Sequence, residues 1–231
     1  MLIGALLSPG PKRSDMISDQ RDNIVLTQKN VQALRTLFNI AHRLHNVLGP
    51  SWVLVLETLS SLDRAIHSPH ATTQEVSTSV PRLTTTSSGQ YSDFSILSSL
   101  NSQLFESSAL MNISAVKSLL SALCQLSHQC MLDTSSGFGP STSQKIGSIS
   151  FSVERMISIL VNNLHRVLPL WDQVVGHFLQ LADNSNQNLR NMALDALDQS
   201  ICAVLGSEKS EDHTSSRSDD NSQDVRTSAF F

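Results

Sequence analysis

Charge is what this sequence has least of. Only 16% of its 231 residues are Asp, Glu, Lys or Arg, against about 25% in an ordinary soluble domain. So little solvating charge suggests one piece of a larger assembly rather than a small free monomer. Glycine and proline are also scarce, at nine and seven, which excludes collagen-like and Gly-rich low-complexity chains. The apolar share, 40%, is too high for a chain disordered throughout. No window approaches the roughly 18 consecutive apolar residues of a membrane span. The opening run, Met1 to Leu7, lacks a basic start and stops at Pro9 and Pro11, so it does not read as a secretory leader.

The remaining scarcities concern sign and sulfur. Net charge is −4. Residues 206–231 hold six acids and three bases, which leaves 14 acids and 13 bases for the other 205 residues. A body this close to neutral lacks the basic excess of a nucleic-acid binder, and electrostatics alone would not hold it on an anionic membrane. The three cysteines, Cys124, Cys130 and Cys202, show no CxxC spacing, and an odd number in a chain of this size favours a reducing compartment. The expected location is cytosolic, or peripheral on the cytosolic side.

What the sequence has in abundance is Ser and Leu, 39 and 32 residues. Leucine falls on helical stripes. Seven segments carry that period: about 29–48, 51–67, 93–111, 113–132, 151–168, 169–182 and 187–205. In the first, Val31, Leu34, Leu37, Phe38, Ala41, Leu44 and Leu48 share one stripe. Thr27 is placed to cap its start and Gly49 to end it in a left-handed conformation, with Pro50 opening the next helix. In the last, Leu189, Met192, Ala193, Ala196, Leu197, Ile201 and Val204 face inward, and Gly206 is expected to stop it. Serine concentrates between helices, in loops at 68–92 and 133–150, and in the acidic tail. No strand alternation competes, so the expected fold is all-α. The domains read as a flexible segment 1–28, a helical-repeat body 29–205 and a disordered tail 206–231.

The body repeats itself. Leu44-His45-Asn46-Val47-Leu48-Gly49-Pro50-Ser51-Trp52 resembles Leu164-His165-Arg166-Val167-Leu168-Pro169-Leu170-Trp171, each a helix end, a Pro turn and a Trp-led helix. The last hairpin adds Asp183, Leu189-Arg190, Ala193 and Ala196-Leu197, the loose pattern of HEAT repeats. There the Asp and Arg brace the turn and small residues allow close packing. Stacked hairpins of this kind form a HEAT- or armadillo-like α-solenoid.

Motifs that carry chemistry are missing. There is no phosphate loop, dinucleotide fingerprint or nucleophile elbow. His42 and His45 share a helical face, and His67 and His70 flank Pro69, but no spacing completes a metal site. His165 and His177 belong to helix ends and faces. Glu57, Asp63 and Glu106 read as scattered acids on polar faces. The expectation is no enzyme, with no catalytic residue, no metal and no cofactor. Asn112-Ile113-Ser114 fits a glycosylation sequon, with a helix cap as the simpler reading. Trp52 and Trp171 open helices at equivalent repeat positions, as partner-binding anchors or, more simply, as core wedges between hairpins.

Three stretches together resemble a middle segment of the Mon-two family, large helical-repeat proteins related to the Sec-seven-type Arf exchange factors. They are Leu37 to Leu59, Leu104 to Ser127, and Asn163 through Trp171 and Gly176-His177 to Arg190. The Ser/Thr-rich loop is similar to the plant-type variant. The resemblance implies a scaffold in vesicle-mediated protein transport between Golgi and endosome or vacuole. It would sit peripherally on trans-Golgi and endosome membranes, with a Dopey-family partner and Arf-like small GTPases. It also implies that this chain is a fragment of something longer. The alternative is a regulatory or catalytic part of an Arf-type exchange factor. That would need a catalytic Glu on a loop, for which Glu57, Glu75, Glu106 and Glu154 are the candidates.

Overall fold

The computed structural model describes residues 26–67, 87–132 and 142–215. Most of the expected N-terminal segment, residues 68–86 and 133–141 of the two loops, and the end of the tail therefore lie outside the described residues. Every regular element described is helical, as the periodicity requires. The described residues form seven helices: α1 Gln28–Leu44, α2 Trp52–Ile66, α3 Ser87–Glu106, α4 Ile113–Leu132, α5 Thr142–Asn162, α6 Leu168–Ala182 and α7 Gln187–Ser215. Short 3-10 turns stand at Gly49–Ser51, Ser107–Leu110 and Leu164–Arg166.

The helix starts and stops have local causes. The Thr27 hydroxyl accepts from the Asn30 N–H at 3.3 Å and caps α1, satisfying an amide that the helix cannot. Gly49 takes a φ of +46°, which a Cβ would resist, and Pro50 follows at the start of its 3-10 turn. Between 44 and 49 the chain has already left the α-helix, so α1 is one turn shorter than its apolar stripe. The fifth helix ends early for a different reason. Asn163 donates from Nδ2 to the Ile159 carbonyl at 2.7 Å and accepts from Arg166 Nε at 2.8 Å. Its side chain thus satisfies the groups of a tight turn where the leucine pattern alone continues to 168.

Glycine misleads at three points: α3 begins at Ser87, inside the expected loop 68–92, and runs through Gly89. The fifth helix begins at Thr142, inside the expected loop, and passes through Gly147. The seventh continues through Gly206 to Ser215, so Gly206 does not stop it. What the bare Cα of Gly147 does is leave room for Arg64: an added Cβ would lie 3.2 Å from Arg64 Cδ.

The chain divides into two compact units, Met1–Met156 and Ile157–Phe231, the division falling within α5. In the first unit, α1 packs on α3 and α2 on α4. Helices two apart in sequence are neighbours in space, the arrangement of one hairpin stacked on the next. The most enclosed helix is α2, with Trp52, Val55, Leu56, Leu59 and Leu62 buried together with Thr58, Ser60 and Ala65, and from α3, α4 and α5 come the buried Leu97, Phe105, Leu119, Leu123 and Phe151. In the second unit α6 and α7 pair, burying Val174, Phe178 and Leu181 and, opposite them, Leu189, Ala193 and Ala196. Two residues expected inward are exposed instead: Leu44 on α1 and Ile201 on α7.

Candidate functional site

The first unit holds a polar knot where three helices meet. The last turn of α2 carries Asp63, largely enclosed. Arg155 of α5 reaches it, Nη2 to Oδ1 at 3.1 Å, both side chains about 15% exposed. Asn101 of α3 donates to the same oxygen at 3.3 Å. His67, one turn beyond Asp63, places Nδ1 3.3 Å from Oδ2 and 2.9 Å from the Asp63 carbonyl. The guanidinium of Arg155 lies between two rings, 5.2 Å from the centroid of Phe105 and 5.4 Å from that of Phe151. Those rings meet edge to face at 6.0 Å. Phenylalanine faces are electron-rich, so the cation is held by aromatic faces and by a carboxylate at once.

A second tie runs beside it. Arg64 donates to Ser148 Oγ, to the Gln144 carbonyl at 3.4 Å and to Ser61 Oγ at 3.1 Å. Ser60 donates to Ser148 at 3.1 Å. Burial pulls the Arg64 pKa down, against the opposing pull of Cys130 and Asp63. Chemically these knots are clamps. Asp63 spends its lone pairs on Arg155, Asn101 and His67, while Arg155 Nε and Asn101 Oδ1 stay buried without a hydrogen-bond partner. Sequence reading took Asp63 for a scattered surface acid and passed over Arg155, Asn101 and Arg64. The available signal was position: Asp63 follows Leu62 within the apolar run of α2, and Arg155 precedes Met156, both on helices otherwise buried there.

The residues singled out from sequence fall elsewhere. Trp52 is fully buried in the first unit, a core residue with its indole Nε1 unpartnered. Trp171, at the equivalent repeat position, is half-buried on α6. Arg190 does brace the turn before α7, through the carbonyls of Asn184 at 3.0 Å and Ser185 at 2.8 Å. His42 and His45 stack edge to face at 6.3 Å, and His45 Nδ1 lies 2.6 Å from the His42 carbonyl. Among the described residues no group of three His, Cys, Asp or Glu is placed to hold a metal. His70 and Glu75 lie outside those residues. Glu106 ends α3, Glu57 lies within α2, and Glu154 accepts from Ser150 Oγ at 2.9 Å. Burial pushes the Cys124 thiol up to about 11, which removes it as a nucleophile at neutral pH. None of the three cysteines forms a disulfide. Among the described residues no helix is long and apolar enough to cross a membrane.

The remaining feature is a cleft of about 370 Å³ between α1 and α3. Phe38, Ile96, Leu100 and Leu104 line it with Arg35, Asn39, His42 and Gln103. Arg35 closes one side by pairing with Asp93 at 3.1 Å.

Hairpins packed helix-on-alternate-helix, clamped internally by ion pairs, define a helical-repeat protein. Among known sequences the chain is 32% identical to the human Protein MON2 homolog over 198 residues, 79% of this chain and 10% of that protein. It is 31% identical to the Xenopus laevis homolog over the same length, and 28% identical to the Drosophila melanogaster one over 207 residues, 88% of the chain. The chain belongs to the MON2 homolog family and spans about a tenth of the length of these relatives. No family model and no solved structure matches it.

Proposed function

We propose that this chain is a non-catalytic scaffold segment in vesicle-mediated transport between Golgi and endosome or vacuole, held peripherally on those membranes through protein partners. The observation that carries this reading is its kinship with the MON2 homologs over four fifths of its length. The fold agrees with it. Repeats of this kind offer long surfaces for partners rather than a pocket for chemistry, and the charged side chains at the centre of the first unit are engaged with one another. The proposed partners are a Dopey-family protein and Arf-like small GTPases.

Affinity capture with the full chain from a cell extract, read by mass spectrometry, tests this. Recovery of a Dopey-family protein or an Arf-like GTPase supports it; repeated capture of neither overturns it. A nucleotide-release assay on Arf-type GTPases runs alongside. Clear acceleration would replace the scaffold reading with an exchange-factor one.

A further inference from the structure

We draw no further inference here: the strongest candidate, the cleft between α1 and α3 floored by Phe38, Leu100 and Leu104, carries nothing, because nothing in the structure shows what covers it.

Discussion

Replacing Asp63 by Ala should destabilise the first unit out of proportion to the few atoms removed. The substitution leaves the Arg155 guanidinium between Phe105 and Phe151 without the carboxylate 3.1 Å away. Removing one partner of a buried pair costs about 3–5 kcal/mol, chiefly because the other charge stays buried and uncompensated. Arg155 keeps some contact with water and both aromatic faces, so the expected loss is about 2–4 kcal/mol. At roughly 2–4 °C per kcal/mol for a chain of this size, the melting temperature should fall by roughly 5–15 °C. Far-UV circular dichroism during heating and in urea measures both. The informative comparison is the double variant. Arg155→Met removes the stranded cation and fills the space between the rings, so Asp63→Ala with Arg155→Met should be more stable than Asp63→Ala alone. Asp63→Asn keeps an acceptor for Asn101 and should fall between wild type and Ala. If Asp63→Ala unfolds within about 0.5 kcal/mol of wild type, the range of an ordinary surface change, the knot contributes nothing and the reasoning fails.

Gly176 in α6 has open space where a Cβ would stand, so Gly176→Ala should stabilise by about 0.5–1 kcal/mol in urea titrations. Gly147→Ala should gain clearly less, because its Cβ presses on Arg64 Cδ at 3.2 Å and Arg64 is held by Ser148 and Ser61; in an Arg64→Ala background the shortfall should vanish. Gly49→Ala, at a φ of +46°, should cost about 1–2 kcal/mol, the left-handed penalty for an L residue, and Gly49→Asn less, as thermal melts would show. The Cys124 thiol, pushed up from 9.0 to about 11 by burial, should resist a thiolate-selective reagent in the folded protein at mildly alkaline pH and react on unfolding. Folding favours its protonated form, so that contribution is fully present below pH 9 and is lost as pH rises through about 11; Cys124→Ala should flatten the alkaline part of the stability profile.

The helices were legible because their cause is local. Leu119, Leu120, Leu123 and Leu126 alternate at helical spacing, and α4 occupies the residues that spacing marks. Boundaries were less legible where a side chain far away or a single polar group decides them. Nothing near Gly147 announces that Arg64, more than eighty residues earlier, lies over it. Nothing in the leucine pattern announces that Asn163 will satisfy the Ile159 carbonyl and end α5. The Asp63 knot was hidden for the same reason. Its members come from three helices, and charge alone does not distinguish a solvated acid from one that meets Arg155 across 92 positions. Leu44 and Ile201 were misplaced because a stripe on a helix wheel shows which residues are apolar, not how many neighbours stand ready to cover them.

The tie between α2 and α5 bears on how the first unit comes apart. Hairpins that touch only their neighbours behave as a one-dimensional array, free to fray from either end. Asp63 with Arg155, and Arg64 with Ser148, fasten an early helix to a late one over 92 and 84 positions. While those bonds hold, α3 cannot loosen without releasing Asn101, nor α5 without freeing both arginines. The first unit should therefore unfold in a single step rather than piecemeal, and native-state hydrogen exchange should find α2, α3 and the first half of α5 opening together.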